Sequence, residues 1–339
     1  MGTGRRVALE LRGGEFQKIY DINFTDPYRN IDGVSRTISF TYQDITQYTS
    51  STSDFSTTTL SAGMNWSYPI ANFQRMTFGF AYQDAELLTS QFSSRQALAW
   101  VLQNGESFQG PGGFIGTQVK SLDLVSAWQY DSRNAALFPT GGARMSVGFN
   151  SAVPGSDIEY WVASVDLTKY FRLRGPWLFR IHSEVAYGDS YGDTTSIPPF
   201  RNRYGGGPGT VRGYKESYLG PRDDFGNPYG GNMLVANQFE LIIPTPEKIR
   251  GSTRLSLFFD AAGVFETGGV NFFDKLGSPI EYGWDYDKLK KSVGIGVEWL
   301  APLGLLRFSY AAPLNEDDPT DRYYGDEVER FQFSIGNAF

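Results

Sequence analysis

Arg212 is the only cation in the run Tyr204-Gly205-Gly206-Gly207-Pro208-Gly209-Thr210-Val211-Arg212-Gly213-Tyr214. A glycine-rich backbone of this kind folds tightly and can present a single guanidinium. That group is a planar fork of donors suited to carboxylates, and two carboxylates lie where they could meet it. In the segment 232–243, Leu234, Ala236, Gln238 and Glu240 share one face, opposite Met233, Val235, Phe239 and Leu241. In 252–264, Arg254, Ser256, Phe258 and Asp260 oppose Leu255, Leu257 and Phe259. Glu240 and Asp260 therefore both fall on the more polar face. The chemistry on offer is a charge-assisted clamp that fixes a loop, against the plainer reading of hydrated carboxylates under a mobile, water-exposed loop.

Other chemistries find little support. With no Cys there is no disulfide scaffold, thiol nucleophile or thiolate metal site. The single His, His182, alternates with Arg180 and Glu184 on one face, so a hydrolase is imaginable. No serine elbow or second His accompanies it, and no catalytic residue is expected. Gly205-Gly206-Gly207-Pro208-Gly209 lacks the Lys and Ser/Thr of a P-loop. The acidic run Asn315-Glu316-Asp317-Asp318 with Asp321 lacks the spaced ligands and glycine of a calcium loop and reads as a solvated loop, so neither a metal nor a cofactor is expected. A net charge of -7 argues against nucleic acid as a partner.

The elements that must position these residues announce themselves by alternation. Leu60, Ala62, Met64, Trp66 and Tyr68 alternate with Thr59, Ser61, Gly63, Asn65 and Ser67, and Met76, Phe78, Phe80 and Tyr82 repeat the pattern. Fourteen such segments are expected near 4–12, 16–25, 35–44, 57–68, 74–86, 119–130, 143–152, 158–172, 177–188, 232–243, 252–264, 289–300, 304–311 and 328–338. Connections after even strands are compact turns, whereas several after odd strands are long: 87–118, 189–231, 265–288 and 312–327. Antiparallel hairpins send the two kinds to opposite rims.

The second face carries Thr, Ser, Gly, Ala and Gln rather than the many Lys and Glu that the outside of a soluble sandwich or propeller would show. A watery lumen explains it. Aromatic residues make up 16% of the chain, as aromatic girdles require, and no stretch approaches the roughly 18 apolar residues of a spanning helix. All-β architecture is thus expected: one transmembrane antiparallel barrel over 1–339, with the loop 189–231 folded into its lumen. Ser94–Gln103 has helix formers behind a Ser start and predicts a short loop helix. Met1-Gly2-Thr3-Gly4-Arg5-Arg6 has neither the apolar core nor the cleavage site of a signal peptide.

Four motifs in order carry a resemblance. They are Val211-Arg212-Gly213-Tyr214, the turn Asp131-Ser132-Arg133 with Leu137-Phe138-Pro139-Thr140-Gly141-Gly142, the strand end Glu240-Leu241-Ile242-Ile243-Pro244-Thr245-Pro246, and the closing Phe331-Gln332-Phe333-Ser334-Ile335-Gly336-Asn337-Ala338-Phe339. Together they resemble the BamA family, the central barrels of the outer-membrane β-barrel assembly machinery, across essentially the whole chain. The resemblance implies a sixteen-stranded barrel, a loop whose Arg212 contacts inward Glu240 and Asp260, and a seam between first and last strands where client strands pair. It also implies an outer-membrane location in a Gram-negative bacterium. The partners it implies are the lipid bilayer, nascent outer-membrane β-barrel proteins, periplasmic POTRA domains and assembly lipoproteins.

Gly2-Thr3-Gly4 resembles the turn before the family's third strand, which places the first two strands and the POTRA domains outside this chain; alone it is expected not to insert clients. The family's Asp-x-Gly reads here as Asp260-Ala261-Ala262-Gly263, the glycine displaced by one. Phe331, Phe333 and Ile335 alternate outward toward an aromatic terminus at Phe339, which resembles the sorting signal of outer-membrane barrels, and Gly336 weakens that strand. The rival reading is a passive pore or secretion channel, including the two-partner secretion transporters that share the Arg-Gly-Tyr loop.

Overall fold

The computed structural model describes the chain except at residues 1–3, 14–16, 51–52, 91–92, 111–112, 275, 303, 318–323 and 337–339. Fourteen strands form one antiparallel wall in chain order. They are β1 (Arg6–Gly13), β2 (Gln17–Asp26), β3 (Ser35–Ser50), β4 (Ser53–Ala71), β5 (Gln74–Thr89), β6 (Ile115–Asp131) and β7 (Gly142–Ala152), followed by β8 (Tyr160–Arg172), β9 (Leu178–Ser190), β10 (Met233–Ile243), β11 (Thr253–Phe265), β12 (Lys290–Ala301), β13 (Gly304–Pro313) and β14 (Phe331–Gly336). A short strand, Glu106–Gln109, adds to β6 at one rim. Among the described residues no helix is long and apolar enough to cross a membrane; a wall of ladders instead pairs the backbone groups of neighbouring strands with one another, as a sheet in lipid requires.

Alternation decides which way each side chain points. On β10 every second residue from Leu234 to Ile242 is buried, and on β11 Ser256, Phe258 and Asp260 are buried while Leu257 and Phe259 are exposed on the lipid-facing side. Outward aromatics meet across strands: Phe239 lies between Phe179 and Phe259, with ring centroids 6.5 and 6.2 Å away. Cross-strand pairs of this kind contribute roughly 0.2–1 kcal/mol each and hold the register. The wall is tallest at β4, with 19 residues, and β14 is described over 6 residues. Among the described residues β1 and β14 share no ladder, and β1 is exposed along its length.

The segment 328–338 departs from the single strand that its alternation predicts. Val328–Glu329 pairs with Gly213–Tyr214 instead of with the wall, and β14 begins only at Phe331. The break falls at Arg330, whose carbonyl accepts from the Ala311 amide as the chain passes from the loop sheet to the barrel. Phe339 and Asp321 lie outside the described residues.

Long connections close over one end. Helix α1 (Arg95–Gln103) starts at Ser94, whose Oγ accepts from the Ala97 amide at 3.2 Å. Trp100 and Val101 on its inner face pack with Leu87, Val119, Ile158 and Tyr160, and Trp100 Nε1 donates to the Ser196 carbonyl at 3.1 Å. The cluster thus packs α1 against the inner faces of β5, β6 and β8, and the Trp100–Ser196 bond ties the helix to the loop that carries Arg212.

Candidate functional site

Residues 191–232 leave β9 at the helix-bearing rim and return to β10, and the segment between is pinned by bridges rather than free. Arg203 pairs with Gly231, Gly205 with Leu219, and Gly207 with Val211. Gly206, Gly207 and Gly213 take φ values of +99°, +81° and +92°, a region that glycine enters at no steric cost. The Gly207 amide donates to the Tyr214 carbonyl at 3.0 Å, closing a tight turn that delivers Val211, Arg212, Gly213 and Tyr214 to the inner wall, all four buried.

There Arg212 meets both carboxylates. Its Nε donates to Asp260 Oδ2 and its Nη2 to Asp260 Oδ1, each at 2.7 Å, a bidentate pair. The Arg212 backbone amide adds a third bond to Asp260 Oδ2 at 3.0 Å. Arg212 Nη1 donates to Glu240 Oε1 at 2.6 Å, and Arg180 Nη1 holds the other Glu240 oxygen at 2.9 Å. Asp260 is 0% exposed and Arg212 8%, so the clamp lies away from bulk water. Burial alone would lower the Arg212 pKa, but the bonds to Asp260 and Glu240 outweigh it and hold the guanidinium above its ordinary value. The clamp forms with the glycine displaced to Gly263: Asp260 makes both guanidinium bonds.

Three further participants were not singled out by sequence reasoning. The Phe258 ring lies under the guanidinium, 3.5 Å from its centre, a cation–π contact strengthened by desolvation. The signal for it was present, as an aromatic residue on the otherwise polar face of β11. Gln332, inward on β14, accepts from the Gly213 amide at 3.2 Å and donates to the Tyr214 carbonyl at 2.7 Å, tying the loop to the last wall strand. Gly294 makes room for Phe258, because a Cβ there would sit 2.5 Å from the ring. Phe331, Phe333 and Ile335 point outward and stay exposed, with Phe333 5.0 Å from Phe308 on β13, while Gly336 is the last described wall residue.

His182 and Asp166 form a pair at 2.8 Å, but its other nitrogen faces Gln238 rather than a hydroxyl, so no nucleophile stands in line. In the acidic run, Asp317 pairs with Lys290 at 2.7 Å, and among the described residues no group of acidic or imidazole side chains is arranged to hold a metal.

At the rim, Glu266 directly follows β11 and is buried, accepting from the Gly268 amide at 2.8 Å and the Asn232 amide at 3.2 Å. Burial pushes its pKa up to about 7 from 4.5, against the pull of those amides. A raised carboxylate pKa means that the folded state holds the proton longer than the unfolded chain does. The stability it contributes is complete below pH 4.5 and is lost as pH rises toward about 7. Hydrogen exchange of the 266–269 turn, corrected for intrinsic rate, is therefore expected to quicken across that window in the wild type and to stay level in Glu266→Gln; equal slopes in the two proteins would refute it.

The chain as a whole matches known proteins. The family model of the Omp85 superfamily domain matches residues 1–339. The chain is 33% identical, over its whole length, to the outer membrane protein assembly factor BamA of Neisseria meningitidis serogroup B, covering 44% of that protein. It is 26% identical to the BamA of Nitratidesulfovibrio vulgaris over 84% of this chain and 32% of that one. The chain thus spans less than half the length of these curated relatives. Among solved structures, BamA from Haemophilus ducreyi lacking POTRA domains 1–3 superposes with a TM-score of 0.86 at 26% identity, over 99% of this chain and 64% of that one. CdiB from Acinetobacter baumannii gives a TM-score of 0.50 at 11% identity over 94% of this chain and 50% of that one, a likeness of fold alone.

Proposed function

The chain belongs to the Omp85 superfamily and is an outer-membrane β-barrel domain, and on that premise we propose that it is the barrel of an assembly factor that folds and inserts β-barrel proteins into the outer membrane of a Gram-negative bacterium. The observation that carries this reading is a whole-chain likeness to proteins named as assembly factors, joined to a motif loop seated on Glu240 and Asp260 rather than swinging free.

In the proposed mechanism the client's terminal strand pairs with a free strand edge at the seam near β14, because an unpaired edge is a template for strand addition. Phe331, Phe333 and Ile335 face lipid beside that edge, and in this mechanism the wall there thins the bilayer locally, which lowers the barrier to insertion. The role is non-catalytic. The glycine-rich turn is occupied by its own backbone contacts, and the driving force is the burial and hydrogen bonding that the client gains as it folds. Nascent barrel proteins, lipid, POTRA domains and assembly lipoproteins are the partners this reading assigns.

The test reconstitutes the barrel in liposomes together with any segments that flank it natively, and follows folding of an unrelated barrel client. Vesicles carrying the wild type are expected to speed client folding several-fold over empty vesicles, and Arg212→Ala to remove most of the gain. Equal client folding with and without the protein would defeat the proposal. A stable, large conductance in planar bilayers would favour the channel reading instead, since a seated loop obstructs the lumen.

A further inference from the structure

The loop has a second anchor, one rung from the arginine clamp. Gln238 on β10 pairs across the ladder with His182 on β9 on one side and with Asp260 on β11 on the other. Its Nε2 donates to the Pro208 carbonyl, at the tip of the glycine-rich turn, at 3.1 Å. Its Oε1 faces His182 Nδ1 at 3.1 Å, and His182 Nε2 faces Asp166 Oδ2 on β8 at 2.8 Å.

The hydrogen-bond inventory fixes the protons. A carbonyl only accepts, so the Gln238 nitrogen must face Pro208, and the Gln238 oxygen is thereby turned toward the ring. An amide oxygen and a carboxylate also only accept. Both ring nitrogens therefore face acceptors, and only the doubly protonated imidazolium satisfies both. Removing one proton leaves a ring lone pair against either an amide oxygen or a carboxylate oxygen. If the Nδ1 proton goes, relief comes from flipping the amide, which sets oxygen against oxygen at Pro208 and releases the turn.

The ring has a route to water. His182, Asp166, Gln238 and Pro208 all line one lumenal cavity of about 550 Å³. The charged groups that line this cavity or flank the ring are Asp166 on β8, Arg144 on β7, Arg180 and Glu184 on β9, Glu240 on β10, Glu298 on β12, Arg307 on β13, Arg133 from the turn after β6, and Arg212 and Glu216 from the loop. Arg144 and Arg180 both act on Asp166, and Arg180 is itself paired with Glu240, so Asp166 remains the acid in contact with the imidazole.

We propose that His182 is a positioning residue for the lumenal loop: its protonated ring orients Gln238 to hold the Pro208 carbonyl, so that the tip of the loop is tied down in acid and released as the ring loses its proton. This goes beyond the assembly function and stands or falls separately from it, because it concerns only the seating of residues 205–210.

Two measurements on the intact protein in detergent micelles test it. His182 is the chain's single histidine, so ¹⁵N imidazole spectra report it without assignment. Hydrogen exchange of the 205–210 peptide, corrected for intrinsic rate, is followed in the same samples as the ring changes its protonation. Both ring nitrogens are expected to carry protons at the acid end. Protection of the peptide should fall by about two- to tenfold, the worth of one neutral amide–carbonyl hydrogen bond, with the same midpoint as the ring. His182→Gln should flatten the profile, and Gln238→Leu should leave the tip poorly protected at every pH, whereas Glu266→Gln should keep the wild-type profile. A ring that is singly protonated while the tip is fully protected would overturn the proposal, as would a wild-type profile as flat as that of His182→Gln. The ring spectrum needs no variant, so a poorly folding mutant leaves the test intact.

Discussion

Replacing Arg212 with alanine is expected to destabilise the barrel by roughly 3–5 kcal/mol, the cost of stranding one partner of a desolvated ion pair. The two acids do not suffer alike. Glu240 keeps Arg180 at 2.9 Å, whereas Asp260, 0% exposed, loses both guanidinium bonds and is left with only the backbone amide of residue 212. Asp260 therefore carries most of the penalty. Arg212→Lys keeps the charge but cannot make two parallel bonds while lying flat on Phe258, so it should fall between wild type and alanine. Removing the stranded acid as well, in Arg212→Met with Asp260→Ala, should recover part of the loss, since the buried charge is then gone. Urea unfolding in lipid vesicles reads the stability, and protease cleavage between Gly205 and Tyr214 reads the seating of the loop. A loss below about 1 kcal/mol, as for an exposed pair, would show that the clamp is wet.

Gly213→Val is expected to unseat the same loop by a different route. At φ +92° a β-branched residue is strained, and even a Cβ at this position lies 2.9 Å from the Ala311 Cβ on β13. Strain of this kind costs about 1–3 kcal/mol and overpacking a similar amount, so a total of roughly 2–5 kcal/mol is expected. Neither the wall at Ala311 nor the Gln332 bonds on either side of the Gly213 carbonyl leave the backbone room to retreat. Gly209→Ala is the control: nothing lies within 4 Å of its Cβ and its φ is not positive, so a change within about 0.5 kcal/mol is expected. Comparable losses in the two variants would mean that loop flexibility in general, and not the fit of Gly213, sets the effect.

The two substitutions probe different layers of information. Which residues face the lumen was legible from the sequence, because the pleat sends successive side chains to opposite sides and that rule is local. Glu240, Asp260, Gln238 and His182 could all be placed inward from their immediate neighbours, and the fourteen alternating segments fixed the wall and its order. Helix α1 was equally local, marked by Ser94 at its start and Asn104 at its end.

What alternation could not supply was the meeting of segments far apart in the chain. Arg212 lies 48 residues from Asp260, and Gly213 lies 119 from Gln332; no periodicity links such positions. Before any family is considered, only a possible meeting of Arg212 with the two acids could be stated. That Phe258 would support the guanidinium, that Val328–Glu329 would leave the wall to pair with Gly213–Tyr214, and that Pro208 would rest on Gln238 were decided by the packing of the loop against the wall. The faces of strands follow from the backbone one residue at a time, but the seat of a loop depends on which walls surround it, and that is known only once the whole sheet has curved into place.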